Sequence, residues 1–321
     1  MSKLYYFIEP TGYNKYTAAA ACGMRDATIF RGFKSKIEEK LFKWHNAWPL
    51  NRKTEMPFKG LWFKRFAKEI PADCDYILMA ESFHLTYSRT FLNQLRKKYE
   101  GSKLCFVFSN PVGEYNLEKV RTIAGLYDIV ITFAKDDAEK YGFQYCDVLP
   151  FRLPAQEEAV ELESDVFFVG KNKGRLNQIL SIYETLRNQG LKCKFYIVGV
   201  SDEEQKYADD IVYNQPITYE EVLKHVQRTR CILELLQEGC NYVSMKTCEA
   251  IHYHKKLLTT NQHANQSSLY NDRYIRIVSK LDDIDKSFIR QELPSGVYES
   301  SNLVETYEPL IYYLDNYFIK Q

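Results

Sequence analysis

The feature that most constrains the fold is a repeated alternation between short apolar runs and segments with helical character. Residues 76–80 (YILMA), 104–108 (LCFVF) and 127–133 (YDIVITF) are runs of this kind, and apolar residues follow one another in them without a polar alternation. Continuous apolar runs are typical of strands in a parallel sheet whose two faces are both covered by helices. The alternation therefore predicts an α/β protein with doubly wound sheets.

The alternation is interrupted once, near the middle of the 321 residues. Pro150 and Pro154 introduce a stretch that continues into the acidic segment 156–164 (QEEAVELES). The length of the chain suits two domains of roughly 150 residues each. We therefore predict a first Rossmann-like domain over 1–150, a linker over 151–164, a second Rossmann-like domain over 165–300, and a C-terminal helix over 301–321 that packs back on the first domain.

Composition argues against several classes of protein. The formal net charge of +1 gives no overall field that would favour nucleic acid as a partner. The eight cysteines include no C-x-x-C pair of the kind found in zinc or redox sites. No run of about 18 apolar residues predicts a membrane-spanning helix, and the chain starts with a strand-like run rather than a signal peptide. We expect a protein of the reducing cytoplasm.

Ligands bind parallel sheets at the carboxyl ends of the strands, so loops that follow strands are the candidate sites. One such loop starts at Gln237 and leads into a helix with Ser244 and Lys246 at its beginning. The free N–H groups and the positive dipole end of a helix start bind anions, and we expect a diphosphate there. Glu249 can accept both hydroxyls of a ribose. The alternative is a plain capped helix whose Glu249 is solvated or paired with a lysine.

The second candidate loop (GKNKGR) follows the first strand of the predicted second domain. It places Gly170 beside three cations, which are Lys171, Lys173 and Arg175. Glycine allows close approach of the backbone to a ligand, and the cations suit phosphate. The alternative is a solvated basic turn. Because both loops would converge on one side of the same sheet, we expect them to share one diphosphate.

The segments FFVGKNKGR (167–175), ITYEEVLKHVQRTRCILELLQ (217–237) and SMKTCEAIHYHKKLLTTN (244–261) together resemble the donor domain of bacterial GT-B glycosyltransferases, such as those of capsule and lipopolysaccharide assembly. The resemblance covers the second half of the chain well and extends weakly to 127–143 in the first half. It implies two Rossmann-like domains that face each other, with a nucleotide-diphosphate sugar as substrate and no cofactor.

The resemblance also implies a donor site lined by Gly170, Lys171, Arg175, Ser244, Lys246 and Glu249. In that family the loop and the helix hold the nucleotide diphosphate, and the glutamate holds the ribose. Lys246 stands where the family often has arginine. A bidentate phosphate contact would then become a point charge.

An inverting transferase needs a base beside the acceptor hydroxyl, and we expect that base in the first domain. Glu81 follows the apolar run 76–80 directly, and we predict that it is the catalytic base. The alternative is that it caps or pairs locally, and a retaining enzyme would need no such base. We expect the acceptor to contact Glu9, Gly12, His84 and Asn110.

Two acidic clusters raise the question of a metal site. Asp136 and Asp137 form the first, and residues 282–285 (DDID) form the second. Both lie at predicted helix starts, where aspartate is a favoured cap. We therefore predict that no metal is bound.

Residues 31–68 contain eleven Lys and Arg against three Glu, together with all three tryptophans, Trp44, Trp48 and Trp62. Clustered cations with interleaved tryptophan suit an anionic membrane surface or a lipid-pyrophosphate acceptor. The alternative is a solvated helical hairpin whose tryptophans lie in the core. Peripheral association with the inner face of the membrane is thus left open by the sequence.

Taken together, these features predict a metal-independent GT-B glycosyltransferase that transfers a sugar from a nucleotide-diphosphate sugar to a lipid-linked or oligosaccharide acceptor in surface polysaccharide synthesis. Two alternatives stay open. A sugar-nucleotide epimerase would need more acid and base groups than the sequence indicates. A catalytically silent GT-B partner or scaffold protein would have no acidic residue in the first-domain cleft.

Overall fold

The computed structural model describes residues 2–112, 114–123, 125–146, 150–157, 160–237, 242–298 and 307–320. Its contacts divide the chain into two compact units. Unit 1 comprises Met1–Arg152 and Glu305–Gln321, and unit 2 comprises Leu153–Val304. Within the predicted linker, Phe151 packs on Tyr16 with ring centroids 5.4 Å apart. The assignment of the acceptor to one domain and the donor to the other stays a prediction.

Unit 1 contains a six-stranded parallel sheet with the strand order β2-β1-β3-β4-β5-β6. Its strands are β1 (Leu4–Phe7), β2 (Ala27–Ile29), β3 (Tyr76–Ala80), β4 (Lys103–Val107), β5 (Ile129–Thr132) and β6 (Gln144–Tyr145). The first seven helices are α1 (Asn14–Cys22), α2 (Lys36–His45), α3 (Trp48–Asn51), α4 (Lys59–Phe66), α5 (Arg89–Lys98), α6 (Glu114–Ile123) and α7 (Lys135–Tyr141). The chain passes from β1 to β2 on one side and then to β3 on the other, so the strand order reverses at β1 and β3.

The sheet of unit 1 is covered on both faces, as the continuous apolar runs predict. Alternate residues of one strand enter different cores: Ile77 and Met79 belong to one hydrophobic cluster, and Leu78 and Ala80 belong to another. Side chains of a strand point alternately to the two faces, so both faces of β3 are buried. This pattern confirms the doubly wound architecture.

Unit 2 contains a second six-stranded parallel sheet with the order β12-β11-β10-β7-β8-β9. Its strands are β7 (Ser164–Lys171), β8 (Cys193–Val198), β9 (Ile211–Tyr213), β10 (Thr229–Glu234), β11 (Lys256–Thr259) and β12 (Ile275–Ile277). Its helices are α8 (Leu176–Asn188), α9 (Tyr219–Gln227), α10 (Met245–His252) and α11 (Lys286–Arg290). The strand order reverses at β7 and β10, which is where doubly wound sheets bind ligands.

The last helix, α12 (Glu308–Ile319), completes unit 1. Leu310, Ile311 and Leu314 are buried in the same cluster as Leu4 and Tyr6 of β1. The predicted packing of the C-terminal helix on the first domain is therefore confirmed. Residues 301–306, where the sequence places the start of this segment, lie outside the described residues. None of the helices in the described part of the chain has both the length and the apolar character that a membrane span requires.

Local signals account for several element ends. Thr218 and Glu221 form a capping box at the start of α9, and Gly190 adopts a left-handed conformation after α8, with φ of +70°. The acidic clusters have different roles from one another. Asp285 caps α11, as predicted, by accepting from the N–H of Ser287 at 2.8 Å.

Asp136 and Asp137 are not caps: they lie in the first turn of α7, whose N-cap is Ala134. Asp137 instead accepts from the N–H of Val112 at 2.6 Å and so fastens the loop after β4. The sequence could not reveal this long-range partner. Among the described residues, no group of three or more His, Cys, Asp or Glu is arranged to hold a metal ion.

Candidate functional site

The loop between β7 and α8 has a backbone that its glycines make possible. A Cβ on Gly170 would lie 2.9 Å from Cζ of Phe168, so the packed ring leaves no room for a side chain. Lys173 and Gly174 both adopt left-handed backbone conformations, with φ of +45° and +78°. Asn172 closes the turn, because its Oδ1 accepts from the N–H of Leu176 at 3.0 Å. The predicted basic loop is therefore a tightly built turn at the carboxyl end of β7.

Arg175 holds this loop to the neighbouring strand. Its guanidinium donates to the carbonyl oxygens of Lys171 at 2.8 Å and Asn172 at 3.4 Å, and also to that of Leu235 just after β10. These bonds use donors that the sequence assigned to a phosphate. The structure thus gives Arg175 a bracing contact, and its phosphate contact stays a prediction.

The two predicted donor segments meet at the reversal of strand order. Nζ of Lys173, in the loop after β7, donates to Oε1 of Gln237, in the loop after β10, at 3.2 Å. Both side chains are exposed, and Lys171 is exposed at the end of β7. Residues 238–241 of the second loop lie outside the described residues. The expected convergence of the two loops is present at this contact.

The start of α10 is fixed by a buried carboxylate that the sequence did not indicate. Ser244 is the N-cap, and its hydroxyl accepts from the N–H of Lys246 at 3.0 Å. The same hydroxyl donates to Glu234, whose other oxygen accepts from the hydroxyl of Thr259 at 2.5 Å. Burial raises the pKa of Glu234, while the two hydroxyls act to lower it. Glu234 therefore ties the ends of β10 and β11 to the helix start.

Glu249 is buried rather than solvated, which makes the alternative of a solvated side chain wrong. Its Oε1 accepts from the hydroxyl of Tyr219 at 2.7 Å, and its Oε2 has no hydrogen-bond partner among the described residues. Burial raises the pKa of Glu249, and the charge of Lys246 opposes this. A buried carboxylate oxygen without a partner is costly, so this atom suits a hydroxyl supplied by a ligand.

Unit 1 contains a cavity of about 440 Å³ on the side of the sheet where β3 and β4 end. Three of the residues predicted for catalysis or acceptor binding line it: Glu81, His84 and Asn110. Its wall also includes Asn14, Asn46, Trp48, Asn51, Glu55, Lys59, Tyr87, Ser109 and Lys119. The mixture of amides, carboxylates, cations and aromatic rings suits a polyhydroxylated ligand.

Glu81 lies directly after β3 and is positioned by the loop after β4. Its Oε2 accepts from the N–H of Ser109 at 3.2 Å, and it is also hydrogen-bonded by Asn110. Burial raises the pKa of Glu81, and these hydrogen bonds oppose the rise without cancelling it. A carboxylate with a raised pKa is a better proton acceptor than an ordinary one.

Glu9 and Gly12 are not among the residues that line the cavity. Glu9 is buried and lies 3.1 Å from Nζ of Lys43 and 3.7 Å from Nδ1 of His84. Burial acts to raise the pKa of Glu9, but the nearby His84 and Lys43 outweigh burial and lower it. Glu9 is therefore next to His84, which lines the cavity, but does not line the cavity itself. Its direct contact with the acceptor stays a prediction.

Three further ionisable residues of the cavity wall were not predicted: Glu55, Lys59 and Lys119. Lys59 donates to the carbonyl oxygen of His45 at 2.9 Å and to Oδ1 of Asn46 at 2.7 Å. Burial lowers the pKa of Lys59 to about 8. Because these residues come from helices or from loops before them, the rule that sites follow strands could not find them.

No known protein-family model matches the chain, and no curated protein matches it. Solved structures do match in fold. AviGT4, a glycosyltransferase involved in avilamycin A biosynthesis, matches with a TM-score of 0.58 and 12% identity over 99% of this chain and 97% of its own. The UDP-GlcNAc 2-epimerase from Neisseria meningitidis, bound to UDP-GlcNAc, matches with a TM-score of 0.51 and 12% identity over all of both chains. At this identity the likeness concerns the fold, which is the two-domain GT-B fold.

Proposed function

We propose that this protein is a glycosyltransferase that moves a sugar from a nucleotide-diphosphate sugar to a glycan acceptor. The observation that carries the proposal is the contact between Lys173 and Gln237, which joins the two predicted donor loops where the strand order of unit 2 reverses. An anion at this edge would meet the exposed ammonium groups of Lys171 and Lys173. The start of α10 would add its N–H groups and helix dipole.

In this proposal the donor is held at both of its polar ends. The diphosphate binds the lysines and the start of α10 near Ser244 and Lys246, and the ribose hydroxyls bind Oε2 of Glu249. When the sugar leaves, negative charge grows on the diphosphate, and the cations and helix dipole stabilise it in place of a metal. Gly170 keeps the turn close enough for the backbone to contribute.

The acceptor is proposed to bind the cavity of unit 1, with Glu81 as the base that removes the proton from its attacking hydroxyl. The position of Glu81 in the cavity wall and its raised pKa support this role. His84 and Asn110 would orient the acceptor from the same wall. We further propose that the acceptor is lipid-linked and that the pathway is surface polysaccharide synthesis, on the strength of the sequence resemblance and of the basic segment 31–68.

The epimerase alternative is strengthened by one observation. The cavity wall of unit 1 carries five carboxylate, imidazole or ammonium groups, whereas the sequence indicated few: Glu55, Lys59, Glu81, His84 and Lys119. The silent-partner alternative predicts no acid in that cleft, and the position of Glu81 argues against it.

Thermal unfolding with a panel of nucleotide diphosphates and nucleotide sugars tests the donor site. A ligand at about 100 times its dissociation constant stabilises the folded state by about 2.7 kcal/mol. We expect one nucleotide to stabilise the wild type, and Glu249→Gln to weaken its binding by about ten- to a hundredfold, since hydrogen bonds to a charged group contribute about 1.5–3 kcal/mol. Lys246→Ala should weaken nucleotide binding similarly. Lys224→Ala, at an exposed position of α9, serves as the matched control.

Incubation of the protein with the binding nucleotide sugar and no acceptor distinguishes the two enzymes. A transferase leaves the sugar configuration unchanged under these conditions, whereas an epimerase converts it, and proton NMR resolves the two products. If no nucleotide or nucleotide sugar stabilises the protein, the proposed donor site is wrong and the silent-partner alternative takes its place.

A further inference from the structure

Large apolar side chains are exposed in one short segment of unit 1. Of the eleven large hydrophobic residues that are exposed among the described residues, six lie between residues 37 and 61 and are 47–79% exposed. These six are Ile37, Leu41, Trp44, Leu50, Phe58 and Leu61. Scattered exposed apolar residues need no explanation, but a contiguous group marks an interaction surface.

On α2 the exposed apolar residues form one stripe. Ile37, Leu41 and Trp44 are spaced by four and then three residues, so they lie on one side of the helix. The opposite side carries Phe42, which is buried. The helix is thus apolar on two sides, and the hydrophobic core of unit 1 uses only one of them. The exposure of Trp44 contradicts the alternative in which all three tryptophans lie in the core.

Helix α4 lies beside α2 and exposes apolar residues of its own. Phe42 of α2 contacts Trp62 of α4 with ring centroids 5.1 Å apart, and Glu38 accepts from Arg65 at 3.0 Å. Trp62 and Arg65 thus lie on the side of α4 that faces α2. Phe58, which precedes α4, and Leu61 are exposed to solvent. We call the exposed apolar residues of α2 and α4 the outer face: Ile37, Leu41, Trp44, Phe58 and Leu61.

Phe58 shows that the exposure is built into the backbone. It precedes α4 with φ of +68°, and its side chain is 74% exposed. A bulky residue in the left-handed region is strained and gains nothing here from burial in the core. Strained backbone of this kind is concentrated at functional sites, which fits a binding role for Phe58.

The charge around the outer face is strongly positive once its acids are accounted for. Glu38 is paired with Arg65, and Glu39 is paired with Lys43 at 2.6 Å. Glu55 accepts from the hydroxyl of Ser88 at 3.2 Å and from the N–H groups that begin α5. Exposed cations of the same segment are then left in excess: Lys34, Lys36, Lys40, Lys53, Lys64 and Lys68.

We propose that the outer face docks on the surface of an anionic phospholipid bilayer. Apolar side chains would enter the headgroup boundary while the surrounding lysines meet lipid phosphates, which is how interfacial helices bind membranes. This docking would serve the proposed function, and its role rests on that proposal. The segment 31–68 that carries the outer face also lines the cavity, through Trp48, Asn51 and Lys59. A docked segment would bring that cavity to a lipid-linked acceptor.

Co-sedimentation with phosphatidylcholine vesicles, with and without about one-third phosphatidylglycerol, tests the docking. We expect the full chain to bind the anionic vesicles at least about tenfold more tightly than the neutral ones. Raising the salt from about 0.1 M to about 1 M should weaken binding, since the Debye length falls from about 10 Å to about 3 Å.

Two sets of variants separate the apolar and the electrostatic contributions. The triple change Leu41→Ser, Trp44→Ser and Leu61→Ser should weaken binding at least about tenfold. Its matched control changes exposed apolar residues elsewhere, Leu281→Ser, Tyr312→Ser and Ile319→Ser, and should bind like the wild type. The preference for anionic vesicles should be abolished by a triple charge reversal near the outer face, Lys36→Glu, Lys40→Glu and Lys64→Glu. It should persist in a matched triple reversal elsewhere, Lys192→Glu, Lys206→Glu and Lys224→Glu.

The proposal is overturned if the wild type does not bind anionic vesicles, or if the control variants lose as much binding as the outer-face variants. It is also overturned if the outer face instead mediates self-association, seen as a dimer in solution that the serine variants dissociate, without vesicle binding. Nucleotide binding by thermal unfolding, measured on the same variants, should stay at the wild-type level. Failure of the docking is thereby distinguished from failure of the donor site.

Discussion

Three carboxylates, two buried and one half-buried, illustrate how much single residues depend on their surroundings. Glu81, Glu234 and Glu249 all have raised pKa values, and burial is the main cause for each. Their hydrogen bonds differ: Glu234 binds two hydroxyl groups of its own unit, whereas one oxygen of Glu249 has no partner among the described residues. A carboxylate whose two oxygens are hydrogen-bonded by the protein braces the structure, and one with an oxygen that lacks a partner among the described residues is suited to a ligand.

The raised pKa of Glu81 predicts a pH dependence. Between the pKa of an unfolded glutamate, about 4.3, and the higher folded value, the unfolded chain has lost the proton and the folded chain has not. Stability attributable to Glu81 therefore falls as the pH rises through this window. We expect the thermal unfolding midpoint of Glu81→Gln to rise relative to that of the wild type as the pH increases from about 4. The exposed Glu100→Gln variant, measured in parallel thermal scans, is the control.

The same titration governs the proposed chemistry. Only ionised Glu81 can accept a proton, so transfer should decline as the pH falls through its raised pKa. Glu81→Gln should lower the transfer rate by about 10²- to 10⁴-fold and leave donor binding unchanged. Equal stability differences for Glu81→Gln and Glu100→Gln across the pH range would contradict the raised pKa, and an unchanged rate would remove Glu81 from the mechanism.

At the scale of elements, the turn between β7 and α8 combines two different glycine requirements. Gly170 has an ordinary backbone conformation but no space for a Cβ, because the buried ring of Phe168 occupies it. Gly174 has open space around it but a left-handed backbone. The first constraint is one of packing, and the second is one of backbone strain.

These two origins predict different behaviour on substitution. Gly170→Ala should cost about 1–3 kcal/mol, as overpacking does, and Gly174→Ala about 1–2 kcal/mol from the left-handed backbone. The cost of Gly170→Ala arises from contact with the Phe168 ring. The double variant Gly170→Ala with Phe168→Leu should therefore lose less free energy of unfolding than the sum of the two single variants, as measured by urea unfolding. Gly174→Ala combined with Phe168→Leu should be additive. Additivity in both pairs would show that the ring is not the cause.

At the scale of the whole molecule, unit 1 is assembled from two distant parts of the chain. Leu314 of α12 is fully buried in the cluster that contains Leu4 and Tyr6, whereas Ile319 of the same helix is 81% exposed. All three tryptophans of the protein belong to unit 1, so tryptophan fluorescence reports the unfolding of that unit.

Leu314→Ala should lower the stability of unit 1 by about 2–5 kcal/mol, the usual range for a core leucine. Ile319→Ala should change it by less than about 0.5 kcal/mol. The measurement is urea unfolding followed by tryptophan fluorescence, with nucleotide binding to unit 2 recorded separately. If Leu314→Ala leaves the urea midpoint of the tryptophan fluorescence transition unchanged, the stability of unit 1 does not depend on α12.

The class of fold could be predicted from the amino-acid order alone, because strand and helix periodicity are local and repeat twice along the chain. Features that depend on near neighbours were equally predictable, such as the capping box at Thr218 and the left-handed Gly190. The carboxyl-end rule directed attention to Glu81, which lines the cavity of unit 1, and to the loops of Lys173 and Gln237, which contact each other. The functional roles of these residues stay predictions.

The polar groups that the protein uses for itself became known only from the three-dimensional arrangement. Arg175 binds the carbonyl oxygen of Leu235, and Glu234 binds Ser244 and Thr259; such partners depend on how strands align across the sheet. The same holds for Lys59, whose burial depends on the packing of α2 and α4. Exposure is equally a property of the whole fold. The sequence shows the cations and tryptophans of 31–68, but it leaves open whether the apolar side chains of this segment are exposed or lie in the core. Long-range packing decides these matters because it selects the partner and the solvent access of each side chain.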